Sequence, residues 1–519
     1  MPIGDFIVKA AVQFPNHVVV VDQEKKLTAK ELLQRSDRLA NALLGLGLKK
    51  GDRVAVLLNN CCQSMECFYG ISRAGLVFVP LNPRYSAAEH LYILNDSEAK
   101  AFLFGEEFAD VVRPILAEAS GVSYHIGVTG RVSKPVHSYE ELLNRASPGD
   151  PGVEISDEDL YSIRYTAGTT GRPKGVIHTH RNNIVMLYNV LMNGFPIEEG
   201  DAILLTAPVT HASGTQVLPH IVRGAKVIVL PGFEVKTLLE TIQRERITTL
   251  YLVPTMIVML LADPDLGKYD LSSLKNIRYG ASPISPETLK KAIQVFGNIF
   301  IQGYGLTEGL NPLTVLPKKD HVLDGSERSL KRLSSIGKEV TIARVRIMDE
   351  EGKILPAGQI GEIVVQSEQN MKGYWKKPEA TAETLRNGWL HTRDLGYIDE
   401  DGYVYLVDRK DDMIVSGGFN VYPKEVEDVL YMHPAVLEAA VFGVPDEKWG
   451  EAVRATVSLK PGMKATEEEI IEHCKKHLAG FKKPKSVAFI EALPKSAYGK
   501  ILRRVLKAPF WKDRERMIN

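Results

Sequence analysis

Apolar and polar positions alternate along this chain in blocks, and the blocks set the first expectations. After Thr28, the residues Leu32, Leu39, Ala40, Leu43 and Leu44 recur at helical spacing. Thr28 with Glu31 makes a capping box, so the spacing predicts a helix over 28–44 that Gly45 and Gly47 stop. A turn at Gly51-Asp52-Arg53 then leads into the apolar run Val54–Leu58, a buried strand. The order repeats: helix 86–94 before strand Ala101–Phe104, helix 237–246 before Thr248–Val253, helix 286–296 before Ile299–Gln302. Helices alternating with short apolar strands predict α/β layers around buried sheets.

The pattern changes near residue 340. Arg344–Asp349, Gly361–Val365 and Gly402–Val407 read as short strands parted by Gly- and Asp-rich turns, a β-rich subdomain. It resets after Asp408-Arg409-Lys410-Asp411-Asp412. There follow a helix at Pro423–Tyr431, strands at Val436–Val441 and Val453–Leu459, a helix at Glu467–Leu478 and a strand at Val487–Ile490. The polar run 408–412 is a hinge candidate, because hinges fall at element ends. The expected fold class is α/β. A large N-terminal domain, 1–409, holds layered α/β subdomains plus the β-rich one, and a small mobile α+β domain, 410–519, follows.

A length of 519 residues agrees with more than one domain. With 64 acidic and 64 basic residues the whole-chain charge gives no argument for nucleic-acid binding. Cys61, Cys62, Cys67 and Cys474 lack the spacing of a structural metal site, and sparse cysteine suggests a reducing, cytoplasmic setting. The sequence shows neither a secretory leader pattern nor an apolar stretch long enough for a transmembrane helix.

The segment Tyr165-Thr166-Ala167-Gly168-Thr169-Thr170-Gly171-Arg172-Pro173-Lys174-Gly175-Val176 is the most informative. Gly168 and Gly171 let backbone approach a ligand, Thr166, Thr169 and Thr170 supply hydroxyls, and Lys174 supplies a point charge, together a phosphate cradle. It is not a Walker P-loop, because Pro173 precedes Lys174, and no GxGxxG follows a predicted strand. The segment resembles the phosphate loop of the adenylate-forming superfamily, which includes acyl-CoA synthetases and aryl-CoA ligases. The family usually has Ser where Ala167 stands, so Ala167 receives no phosphate role.

Further motifs extend the resemblance over essentially the whole chain. Gln302-Gly303-Tyr304-Gly305-Leu306-Thr307-Glu308 resembles the adenine and magnesium segment. The likeness implies that Tyr304 stacks on adenine, Thr307 meets the α-phosphate and Glu308 ligates magnesium. Gly280-Ala281-Ser282-Pro283 resembles the segment lining the adenine and acyl pockets. Asp394 and Arg409 match the ribose-binding positions. Gly417 and Gly418 match a thiol tunnel for coenzyme A. Lys500, in Pro494–Lys500, matches the catalytic lysine that bridges the substrate carboxylate and the α-phosphate. His211 matches a position beside that carboxylate. His178 and His180 read as helix-start residues.

The resemblance implies ATP-dependent activation of a small-molecule carboxylic acid to an acyl-adenylate, then transfer to coenzyme A. ATP, Mg2+ and CoA are the expected cofactors, and a homodimer is a family habit. Acyl-pocket candidates are His211, Ser213, Gly214, Arg278, Gly280, Gly303, Gly305 and Leu310. Arg278 has two readings: pairing with a distal polar group of the substrate or, preferred at this point, lying at a strand edge. A medium- or long-chain fatty acid is the leading substrate, and a cinnamate- or benzoate-like acid the next. A carrier-protein or amine acceptor, and a non-catalytic acyl-nucleotide sensor, are the alternatives.

Overall fold

The computed structural model describes all residues except 24, 129–135, 167–172, 411, 418, 496–500 and 513–519. Its N-terminal part stacks two large sheets. The first runs Lys338–Glu339, Leu310–Leu316, Phe300–Leu306, Asn276–Gly280, Thr249–Leu252, Ala202–Leu205, Lys226–Val229, Val18–Val21 and Lys26–Thr28, in spatial order. From Val18–Val21 to Phe300–Leu306 neighbouring strands are parallel. The second runs Gly373–Tyr374, Lys174–Thr179, Leu160–Thr166, Val77–Pro80, Arg53–Leu57, Ala99–Phe104, Tyr124–Gly127 and His137–Ser138.

Helices Ile3–Gln13, Ala29–Gly45, Cys62–Arg73 and His180–Asn193 lie between the two sheets. Ile7, Leu39, Leu43, Met65, Ile71 and Leu187 share one core with Val20, Ile203 and Val227 of the first sheet and Val54, Val56 and Leu103 of the second. Buried apolar faces on both sides explain why these strands read as unbroken apolar runs. Helices Val235–Glu245, Pro254–Ala262 and Pro286–Phe296 cover the outer face of the first sheet. Helices Ala87–Asp96 and Ala109–Leu116 cover that of the second.

The helix predicted over 28–44 is Ala29–Gly45, and both hydrogen bonds of the Thr28–Glu31 capping box are present. Cysteines 61, 62 and 67 belong to the start and body of a buried helix, where three desolvated thiols pack as small apolar residues. Glu66 of that helix is fully buried. It accepts bonds from Arg35 Nε (2.5 Å) and Nη2 (3.0 Å), Lys25 Nζ (3.2 Å) and the Tyr139 hydroxyl (2.7 Å), so its charge is met on every side.

A third sheet holds Arg344–Met348, Gly361–Gln366, Trp389–Ile398, Leu385–Arg386 and Val404–Arg409. Val345, Ile363, Leu390 and Val404 pack on Ile301 and Val315 of the first sheet and Val176 of the second. All three sheets therefore share one apolar cluster. The chain leaves this sheet at Arg409 and enters a fourth at Ile414. The fourth sheet contains Phe419–Val421, Ile414–Ser416, Gly450–Leu459, Val436–Asp446 and Ser486–Phe489, with helices Pro423–Tyr431 and Glu467–His477 on its core. The polar run that begins at Asp408 thus overlaps the last strand of the third sheet and leads toward a separately cored fourth sheet.

Arg503 braces that run. Its guanidinium meets Glu427 at 2.6 Å, Asp412 at 3.0 Å and Asp408 at 3.4 Å. Asp408 is 4% exposed and also accepts the Arg409 and Lys424 backbone N–H groups at 2.8 Å each. Replacing Arg503 by Met leaves these carboxylates facing one another without a cation. The expected loss is about 3 kcal/mol, seen as earlier urea unfolding and faster proteolysis of residues 414–512. An unchanged urea midpoint would show that the brace contributes nothing.

Candidate active site

Three separate stretches of chain converge where the three sheets meet. The first is the hairpin Leu160–Thr166/Lys174–Thr179. Thr166 pairs with Lys174 across it, so these two residues hold the ends of the expected phosphate loop. Gly168, Thr169, Thr170 and Gly171 lie outside the described residues. The second stretch is the strand Phe300–Leu306 with the turn that follows it, carrying Gln302, Gly303, Tyr304, Gly305, Thr307 and Glu308. The third is the pair Trp389–Ile398/Val404–Arg409, in which Asp394 and Arg409 are cross-strand partners.

Charged and hydroxyl groups link the three. The Tyr304 hydroxyl donates to Asp394 Oδ2 at 2.6 Å. Arg409 Nε meets Asp394 Oδ1 at 3.2 Å. The Arg409 guanidinium is held above its ordinary range by Asp394 first, with Tyr304, Asp412 and Glu308 adding to the effect. Burial, then Asp394, push the Tyr304 phenol well up, so it stays a neutral donor. The Tyr374 hydroxyl donates to Glu308 Oε1 at 2.8 Å. Lys174 Nζ stands 5.2 Å from the centroid of the Tyr374 ring. A line of groups therefore runs from Lys174 through Tyr374 to Glu308, whose charge reaches Arg409 in the cluster it forms with Asp394 and Tyr304.

Small residues let the strands around this line come together. A β-carbon on Gly280 would collide with the Gly303 carbonyl, and one on Gly305 with that of Leu310. These glycines serve backbone-to-backbone approach, a stricter need than room for a ligand. Ala281, Leu310 and Arg393 all have positive φ, of 70°, 57° and 62°. Three side-chain-bearing residues in that sparsely populated region around one site are the kind of strain found at ligand clamps. Ser282 is half-buried beside Ala281. Gln302 is buried, 3.5 Å from the Tyr279 hydroxyl.

Other sequence expectations fare differently. His211 caps the short 3-10 turn Ala212–Gln216 and is half-buried. Ser213 spends its hydroxyl on the Ala207 and Pro208 carbonyls, at 3.0 and 2.7 Å, and Gly214 admits the Val209 carbonyl, so both shape their own loop. Gly417, at φ 60°, lies against the Trp449 ring. Gly418 and Lys500 fall outside the described residues. His180 opens the helix His180–Asn193 behind its Thr179 cap, as expected. His178 does not: it is buried on the strand Lys174–Thr179, where burial first and Arg164 second push its imidazole down to about 3.

The strand-edge reading of Arg278 is overturned. Asn276–Gly280 is an interior strand, flanked by Thr249–Leu252 and Phe300–Leu306, and Arg278 is fully buried. Tyr374 was missed by sequence reasoning. Its strand, Gly373–Tyr374, has two residues, too few to show a period, and only the glycine–aromatic pair marked it.

Among the described residues no helix is long and apolar enough to cross a membrane. The family model for AMP-binding enzyme matches residues 7–375, and that for the AMP-binding enzyme C-terminal domain matches residues 425–500. The chain is 36% identical to a fatty acid–[acyl-carrier-protein] ligase, ScoC, of Streptomyces coeruleorubidus, over 97% of this chain and 96% of that one. It is 37% identical to a feruloyl-CoA synthase from Amycolatopsis sp, over 98% and 99%. Among solved structures, the anthranilate CoA ligase AuaEII in complex with anthranoyl-AMP superposes with a TM-score of 0.89 at 28% identity, covering 98% of this chain and 97% of that one. With family models over most of its length and relatives of this identity, the chain belongs to the AMP-binding, adenylate-forming enzymes and is an ATP-using acid–thiol ligase of the acyl- and aryl-CoA ligase group.

Proposed function

We propose that the protein is an AMP-forming acyl-CoA synthetase whose site is the line of groups from Lys174 to Tyr304. What supports this most is that one line joins a phosphate-loop cation, a carboxylate and a carboxylate–guanidinium pair drawn from three sheets. Tyr304 offers adenine a flat face while its hydroxyl orients Asp394. Asp394 has two oxygens for the ribose hydroxyls, and the Arg409 guanidinium stands beside it. Lys174, with Thr166, Thr169 and Thr170, holds the β- and γ-phosphates, and Thr307 meets the α-phosphate.

The donor set suits magnesium. Glu308 presents a hard carboxylate oxygen, its orientation fixed by Tyr374, beside the phosphate-loop end. Bound there with phosphate oxygens, the ion would neutralise charge developing on the leaving pyrophosphate. Lys500 brings the substrate carboxylate to the α-phosphorus, with His211 beside it, against the repulsion of two anions. The carboxylate oxygen bonds to the α-phosphorus and pyrophosphate departs. The C-terminal domain then turns at 410–411 and admits the CoA thiol past Gly417 and Gly418. Sulfur bonds to the acyl carbon and AMP departs. The substrate body is apolar, a medium or long fatty chain first and an aryl acid second.

Two experiments test this. With a panel of fatty and aryl acids, pyrophosphate and AMP should form only with acid present, and faster with CoA. Lys500→Ala should lose about 100-fold or more of that rate without a change in melting temperature. Release that ignores CoA would transfer the acceptor role to a carrier protein or an amine, and no release with any acid would sink the proposal. Tyr374→Phe frees the Glu308 carboxylate, and the Mg2+ concentration for half-maximal rate should rise about tenfold. An unchanged Mg2+ titration would remove Glu308 and Tyr374 from the metal site.

A further inference from the structure

Arg278 is among the largest side chains that the fold buries completely. Among the described residues, none supplies a hydrogen-bond acceptor to its Nε, Nη1 or Nη2. A guanidinium sealed from water without an acceptor is a severe cost, and native proteins keep one when something else meets it.

Among the described residues its surroundings give no acidic hydrogen-bond or ion-pair partner. Tyr251 stands in register with Arg278 on the neighbouring strand, and its hydroxyl is also unpartnered among the described residues. Burial pushes that phenol up to about 12, so it is a neutral donor at physiological pH. His220 lies within electrostatic range. Burial holds its imidazole down at about 4, and its Nδ1 is already committed to the Gln216 carbonyl at 2.7 Å. Burial pushes Arg278 itself down only to about 10, which leaves it cationic.

The guanidinium lies in a slot made by missing side chains. A β-carbon on Gly194 would stand 3.4 Å from Nη1, and one on Gly303 would stand 3.3 Å from Nη2. Gly303 belongs to the proposed acyl pocket. Beside it, Asn311 Oδ1 is unpartnered among the described residues, and Met186, Val190 and Leu310 form a small apolar cluster nearby. Arg278 is two residues, roughly 7 Å, upstream of Gly280 on its strand. It therefore lies deeper in the sheet than the nucleotide-side residues.

We propose that Arg278 receives a second carboxylate at the far end of the substrate, so that the acids this enzyme activates best are dicarboxylic, with an apolar chain or ring between the two groups. A planar fork of N–H donors matches a carboxylate at two points, and the Tyr251 hydroxyl adds a third donor. The proposal rests on the acyl-CoA synthetase reading and narrows its substrate.

The test compares dicarboxylic acids of increasing length, aliphatic and aromatic, with their own mono-methyl esters and with plain fatty acids. Pyrophosphate release is measured with saturating ATP and CoA. At the best length, the wild-type enzyme should show a kcat/KM about 100-fold higher for the diacid than for its half-ester. Arg278→Met should reverse that preference, mainly through KM. The wild-type comparison stands alone if the variant folds poorly. If half-esters or fatty acids equal or exceed diacids at every length while pyrophosphate release persists, the proposal is wrong and the synthetase reading survives. If no acid of any kind elicits release, both fall.

Discussion

The pairing of Arg409 with Asp394 is the constraint on which the site depends. Asp394 is 4% exposed, and a carboxylate so far from water needs a cation and a donor. Arg409 supplies the first and Tyr304 the second, at 3.2 and 2.6 Å. The Arg409 bond is made within the third sheet, between cross-strand partners, whereas the Tyr304 bond requires that sheet to sit against the end of Phe300–Leu306, which the shared cluster of Ile301, Val315, Ile363 and Val404 secures. Arg409 is also the last strand residue before the connection to the fourth sheet. One residue therefore serves both the proposed nucleotide side and the root of the proposed hinge.

Packing and chemistry meet in the small residues. Strands that need glycine to pass one another at Gly280 and Gly305 bring the Tyr304–Glu308 turn close to the hairpin that ends at Lys174. The layered core with helices between two sheets is the rigid part. The polar line is assembled on its rim, from elements whose apolar faces are already fixed. That division lets unusual backbone, as at Ala281 and Arg393, persist at the site, because the surrounding core over-determines it.

Much of this was legible in the sequence, for reasons that differ by residue. Thr28, Glu31 and the leucines after them specify a helix by local chemistry alone, and Pro423–Tyr431 was recovered with the same bounds. Tyr304, Glu308, Asp394 and Arg409 were named from motif likeness, and nothing local could say that Tyr304 touches Asp394, since 90 residues separate them. Tyr374 carried too short a pattern to be read. Arg278 was misplaced because an arginine in an apolar run usually signals an edge, and strand order is a property of the whole sheet. Ser213 and Gly214 carry a local role as well, since the Ser213 hydroxyl bonds the Ala207 and Pro208 carbonyls and Gly214 admits that of Val209, which the sequence does not reveal. His178 was assigned to a helix that begins two residues later, the ordinary uncertainty of an element boundary.

The central claim is that the Asp394–Arg409–Tyr304 cluster holds the nucleotide. Calorimetric titration of ATP into wild type and Asp394→Ala, with circular dichroism to establish that both are folded, addresses it directly. The account predicts one ATP bound per wild-type chain and an affinity at least about 100-fold weaker in the variant. Equal affinity in two folded proteins would contradict it and move the nucleotide elsewhere in the molecule.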